Sequence, residues 1–216
     1  MEKQRVHHNL RKDKHMILFH EMMKPQNLSL RVVEYESQKE WLDRIPHKRM
    51  EDLALFMTCR EQQTDDTVVH LHVTEDICKT MNLDVTEAFQ IAEQNMMKEM
   101  VFMKLEEMMP CPSLVDTIFS VLTTKSGVSG TALIGCPEAL KTVYEQFHDG
   151  FYVLPSSVHE VLVAPLNVQT YGLNAEAWLN IVQEANREVV SPEDRLSDNV
   201  YMFDGRILRS VVAKKE

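Results

Sequence analysis

Two serines, a histidine and a glutamate fall within five residues in the stretch "FYVLPSSVHEVLVAP", Phe151 to Pro165. Acyl-transfer chemistry by serine needs a base within hydrogen-bond reach and a third group to orient that base. In an extended strand, successive residues rise about 3.3 Å and point to opposite faces. His159 and Glu160 would then diverge, while Ser157 and His159 would share a face and could act as a hydrolytic pair. Neither Ser156 nor Ser157 sits on a glycine-flanked elbow of the kind that exposes a nucleophile. The plainer alternative is a hairpin turn at Pro155-Ser156-Ser157, with the hydroxyls satisfying turn amides.

A second candidate is "VVHLHV". His70 and His72 are two apart in a strand and would share a face, so they could hold a metal together. A complete site needs further ligands. Glu75, Cys78 and His159 are the available types, and the spacing selects none of them. The alternative is the solvated face of a half-buried strand. His47, Lys48 and Arg49, beside Glu51 and Asp52, form a third candidate: a small basic cluster for phosphate or a partner's acidic strip, or else a solvated loop entering a strand. Asp198 precedes a strand and could cap it or accept hydrogen bonds from a loop. The adjacent carboxylates Asp65-Asp66, Glu106-Glu107 and Glu193-Asp194 mark solvated loops or helix starts.

The elements that would position these groups are legible in part. Ser37-x-x-Glu40 reads as a capping box opening a short helix at Trp41 and Leu42, stopped by Pro46. Leu53 to Cys59 and "TVVHLHV" read as strands joined through "QQTDDT". Asp84-x-x-Glu87 is a second capping box, and Val85, Ala88, Phe89, Ala92 and Met96 have helical spacing to about Lys98. "VFMKLEEMM" reads as a further short helix ended by Pro110 and Pro112. "DTIFSVLTT" and "TALIG" read as strands about the turn "KSGVSG". Pro137 opens a helix with the stripe Leu140, Val143, Tyr144, Phe147. "FYVLP" and "VHEVLVA" read as strands. Asn174 would cap a helix carrying Ala177, Trp178, Ile181, Val182 and Ala185, and Ser191-Pro192-x-Asp194 opens a helical turn. "NVYMFD" and "RILRSVV" form a hairpin at Asp204-Gly205. The expected fold class is α+β: a mainly antiparallel sheet built from three strand-strand-helix units, with helices packed on one face. The expected organisation is a basic, histidine-rich arm over residues 1–28, then 29–110 and 111–216, which could form one continuous domain.

Composition narrows the function classes. The 216 residues suffice for a real core, and the net charge of −10 argues against nonspecific binding to nucleic acid or an anionic membrane. The four cysteines, Cys59, Cys78, Cys111 and Cys136, form no CxxC pair, which fits free thiols in a reducing cytoplasm. The start is charged, its apolar run "MILF" is too short for a signal peptide, and no run approaches a membrane span. No glycine-rich phosphate loop follows a strand, so a dinucleotide fold and a nucleotide triphosphatase are unsupported. The fourteen methionines include Met22-Met23, Met96-Met97, Met100, Met103 and Met108-Met109. Such residues fill irregular cores, or line a plastic face for a partner or a second copy.

"LPSSVHEVLVAP" and "WLNIVQEANREVVSPEDRLSDNVYMFD" resemble a family of uncharacterised proteins from gut-dwelling Gram-positive anaerobes, domain-of-unknown-function family five-six-eight-eight. "RVVEYESQKEWLDRIPHKRMEDLALFM", "HLHVTEDICKTMNLDVTEAFQIAEQN" and "FSVLTTKSGVSGTALIGCPEAL" are similar to its earlier segments, so the likeness runs over about residues 29–204. The resemblance implies a soluble, cytoplasmic bacterial protein and brings no activity, cofactor or catalytic residue. The resulting expectation is a noncatalytic binding or protein-interaction domain with no cofactor. It would act on an unknown protein partner or on itself, without nucleic acid or membrane. The alternatives are a hydrolase using Ser157 and His159, or metal binding through His70 and His72.

Overall fold

The computed structural model describes residues 19–64, 67–108, 118–155, 157–167, 175–188, 190–192 and 194–211. Two antiparallel sheets face each other across a shared core. In the first, β3 (Leu53–Thr64) is central. It pairs along its first half with β1 (Leu28–Glu34) on one side and β2 (His47–Met50) on the other. Its second half pairs with β4 (Thr67–His72). The second sheet has six strands in the order β10-β9-β7-β8-β6-β5: β5 (Met100–Lys104), β6 (Ser120–Thr124), β7 (Phe151–Leu154), β8 (Val161–Pro165), β9 (Tyr201–Phe203) and β10 (Leu208–Ser210).

Alternation along the strands assigns the faces. Leu28, Leu30 and Val32 of β1, and Leu53, Leu55 and Met57 of β3, point into the common core. There they meet Phe151, Val153, Val163 and Tyr201 of the second sheet. Helix α3 (Val85–Glu99) adds Phe89, Ala92 and Met96 to that core, and α5 (Pro137–Phe147) adds Leu140 and Val143. The opposite residues of the second sheet, Leu154 and Ala164, pack with Trp178 and Val182 of α6 (Ala175–Glu188). The outer face of the first sheet carries α1 (Tyr35–Leu42) over Ala54 and Phe56. Helices therefore cover both kinds of face, where one had been expected, because the strands of the second sheet are apolar on both sides.

Several local expectations change. The first helix starts earlier than Ser37: Glu34 caps it, accepting from the backbone N–H groups of Glu36 at 3.1 Å and Ser37 at 2.6 Å. "VFMKLEEMM" is β5 followed by a single turn, α4 (Leu105–Met108), because Met100 leaves α3 in an extended conformation and starts the ladder to Thr124. "TALIG" is a 3₁₀ turn, Gly130–Gly135, since β6 already has β5 and β8 on its two edges and offers no place for another strand. Beyond the strands anticipated, the chain forms β1 and β2, and α2 (Glu75–Thr80) precedes α3. The threefold strand-strand-helix recurrence is not reproduced: β3-β4-α2 and β7-β8-α6 have that order, but the middle unit lacks its second strand. The Asp84/Glu87 capping box closes in both directions. Pro137 opens α5, and the β9–β10 hairpin forms with Leu208 opposite Phe203. Pro110, Pro112, Cys111, Asn174, Asp65-Asp66, Glu193 and most of the 1–28 arm lie outside the described residues.

Most of the described methionines fill the interior. Met22, Met57 and Met96 are core residues, and Met50, Met81, Met97 and Met100 pack against that core, while Met108 is 50% exposed. Polar groups join the two sheets through Asp52, in the β2–β3 turn. Its Oδ1 accepts from the Tyr201 hydroxyl at 2.6 Å, and its Oδ2 accepts from Ser197 Oγ at 2.7 Å and Asn199 Nδ2 at 2.9 Å. Tyr201 is fully buried, and that burial, followed by its bond to Asp52, pushes its phenol pKa well up.

Candidate binding face

The outer face of the first sheet concentrates positive and aromatic groups on an acidic chain. The register places Ser29, Thr58 and His72 in one row across β1, β3 and β4. Arg31 lies opposite Phe56, and Arg60 opposite His70. Because strand neighbours alternate, Arg31, Phe56, Thr58, Arg60, His70 and His72 all project to this side, away from the core. Trp41 of α1 closes one end of the patch. Its ring stacks on His72 with centroids 4.7 Å apart and planes 22° apart, and meets Phe56 edge-on at 5.0 Å. Trp41 Nε1 donates to Gln38 Oε1 at 2.6 Å, which fixes the indole.

Arg31 and Arg60 are half-buried, and among the described residues neither guanidinium makes a hydrogen bond or an ion pair. Their charge is felt by the histidines. Burial, then Arg31, then Arg60 and His72, push His70 down to about 4. Burial and Arg31 also lower His72. A half-buried guanidinium without a carboxylate has lost part of its hydration and gained no partner in return. Such a group is ready for an anion.

The His70 shift has a consequence for stability. A histidine depressed in the fold is neutral there while the unfolded chain still takes the proton, so the unfolded state binds more protons below about 6.5. The contribution is present above that pH and is lost as pH falls through 6.5 towards 4. Discounted for partial exposure, the loss between pH 7 and 5 is about 1 kcal/mol. Urea unfolding at the two pH values, with His70→Gln as reference, is expected to show this difference in the wild type and a smaller one in the variant.

His47, Lys48 and Arg49 do not form one cluster, because they lie in strand β2 and not in a loop. Alternation sends Lys48 towards α3, where its Nζ reaches Glu93 Oε1 at 2.8 Å and lies 4.4 Å from the Phe89 ring centre. His47 and Arg49 turn to the α1 side. The His47 ring is 6.0 Å from that of Tyr35, and the Arg49 guanidinium stacks over the same ring at 4.3 Å.

Among the described residues, His70 feels the charges of Arg31 and Arg60 on its face, and His72 that of Arg31. Cys78 points into the core, and His159 lies in the loop before β8 of the other sheet. Among the described residues no group of three histidine, cysteine, aspartate or glutamate side chains could hold a metal ion.

Ser157 and His159 precede β8, so the face-sharing expected of a strand does not arise. The connection from Leu154 to Val161 is a longer loop tied to the 3₁₀ turn. Gly130 N and Thr123 Oγ1 donate to the His159 carbonyl at 2.9 and 3.0 Å, and Thr131 Oγ1 donates to that of Ser157 at 2.6 Å. Ser157 Oγ accepts from the backbone N–H of His159 at 3.0 Å. The His159 ring looks elsewhere: Nε2 is 3.2 Å from Asp194 Oδ1, and Nδ1 accepts from the Ser129 N–H at 3.4 Å. The histidine is thus brought to Asp194 and Ser129, not to the Ser157 hydroxyl. Ser129 has φ of 58° and a buried Oγ without a hydrogen-bond partner; the "GVSG" stretch is the sequence signal that marks it. Asp198 Oδ1 accepts from Asn186 Nδ2 at 2.8 Å, beside the Asp52 network.

No described helix is long and apolar enough to cross a membrane. No curated protein and no solved structure matches the chain. The model of a family of unknown function, DUF5688, matches residues 2–205, and the chain belongs to that family.

Proposed function

We propose that this member of DUF5688 is a noncatalytic binding domain whose outer sheet face takes an extended, acidic segment of a protein partner. The observation that carries this reading is the pair Arg31 and Arg60, half-buried and without a partner among the described residues, on a chain of net charge −10. Guanidinium groups bind carboxylates bidentately, and a partner's carboxylate would satisfy groups already partly stripped of water. The extended form follows from β4, which pairs with β3 alone among the described strands. Its outer edge offers backbone donors and acceptors, so an added strand would run beside His70 and His72, with its longer alternate side chains reaching across β4 towards Arg60. The Trp41–His72 stack bounds the groove with a rigid apolar wall. The overall negative charge disfavours a nucleic acid in the same place. Residues 29–216 act as one continuous unit in this reading, supported by the shared core and the Asp52 network.

Isothermal titration with octaglutamate tests the proposal. Binding is expected at one peptide per chain, weakening about tenfold from low to near-molar salt as surface charges are screened. Absence of binding at low salt, or tighter binding of a single-stranded oligonucleotide of equal charge, would sink it. Because the added carboxylates favour charged histidines, affinity is expected to rise as pH falls from 7.5 towards 5.5.

A further inference from the structure

We propose a second site: a cleft between the two sheets that holds a small amphiphilic organic acid, a carboxylate carried on a short hydrocarbon body. The cleft has a volume of about 540 Å³ and lies where the β2–β3 turn, the 3₁₀ turn, the start of α5 and the β9–β10 hairpin converge. That size is ordinary for small-molecule sites, which are mostly apolar with a few placed polar groups.

Its floor is hydrocarbon and aromatic: Ile134, Leu140, Phe203 and Leu208, with Met50 at the side. Three cations, Arg49, Lys141 and Arg206, stand on the rim against one carboxylate, Glu51. Arg49 is already committed, with Nε donating to the Glu51 carbonyl at 3.0 Å and its guanidinium 3.6 Å from Glu36. Among the described residues, the Lys141 ammonium and the Arg206 guanidinium have neither a hydrogen bond nor an ion pair. Two unpaired cations above an apolar floor match a ligand with one negative end and one greasy end.

The floor also argues against a phosphate-rich ligand. Pro137 lines the cleft at the first position of α5, so that position offers no N–H to an anion. Recognition of the head group falls to the two long side chains, Lys141 and Arg206. The cleft and the outer face share only the neighbourhood of Arg49, so the two sites separate by mutation.

Decanoate is the probe, titrated calorimetrically into the full chain. One decanoate is expected to bind per chain, while acetate (the head alone) and decan-1-ol (the tail alone) bind at least tenfold more weakly. The double variant Lys141→Glu/Arg206→Glu is expected to lose tenfold or more in decanoate affinity while keeping octaglutamate binding. Arg31→Ala/Arg60→Ala is expected to do the reverse. Both rim residues are exposed, so the fold should survive, and an unchanged thermal transition checks that. Equal binding of decan-1-ol and decanoate, or unchanged decanoate affinity in Lys141→Glu/Arg206→Glu, would overturn the proposal.

Discussion

Asp52→Ala is expected to destabilise the protein by about 3 kcal/mol. The carboxylate takes three hydrogen bonds, from Tyr201, Ser197 and Asn199, and all three donors lie some 145 residues away in the chain. Its removal leaves the Tyr201 hydroxyl in the interior with only Ser197 Oγ, at 3.0 Å, as a remaining neighbour. An orphaned buried donor carries the full desolvation penalty, which exceeds the net value of a single bond. Urea denaturation measures the loss. Asp52→Asn, which keeps the volume and one acceptor oxygen, is expected to lose less. Combining Asp52→Ala with Tyr201→Phe should cost clearly less than the sum of the two, because they share one bond. Full additivity would mean that the two residues do not interact.

Arg31→Glu/Arg60→Glu is expected to weaken octaglutamate binding by a factor of about 100 or more, equivalent to about 3 kcal/mol. Each reversal removes an attractive pair and inserts a like charge opposite the ligand. The same change acts on His70. Two of the influences that hold it near 4 are Arg31 and Arg60, so reversing both should raise its pKa. Proton NMR of the imidazole resolves this in the absence of any ligand. A loss of binding without movement of His70 would mean that the arginines do not face that strand.

How much of this was legible beforehand differs by element. The Asp84 box and Pro137 were readable because capping is local: the side chain satisfies amides within three residues. The Asp204-Gly205 hairpin was readable for the same reason. β1 was not, since "LSLRVVE" holds its place through β3 on one side and Asn95 on the other, whose Nδ2 donates to the Pro25 and Leu28 carbonyls. Nothing within the segment announces that partner. "TALIG" has the composition of a strand and became a 3₁₀ turn because the sheet had no free edge beside β6. Gly130 fits there only because it lacks a side chain; a Cβ would sit 2.4 Å from the His159 carbonyl oxygen.

The residues of the proposed binding face were half-visible. His70 and His72 stood out by type and spacing, and strand alternation does put them on one face. What they do there depends on Arg31 and Arg60, which no spacing rule connects to them. Two positive neighbours favour the proposed anion-binding face over a metal pair. The "HKR" run illustrates the opposite failure: three adjacent basic residues looked like one patch, and the pleat of β2 divides them between two faces. Asp52 sat unremarked inside "RMEDLAL", because its partners are supplied by the far end of the chain.

The outer sheet face is the proposed binding surface. Amide chemical-shift mapping on the isotope-labelled full chain during octaglutamate addition tests it most directly. The largest shifts are expected at Arg31, Thr58, Arg60, His70 and His72, with the Trp41 indole N–H moving in step. Shifts centred instead on α6 or the β9–β10 hairpin, with that face unchanged, would contradict it.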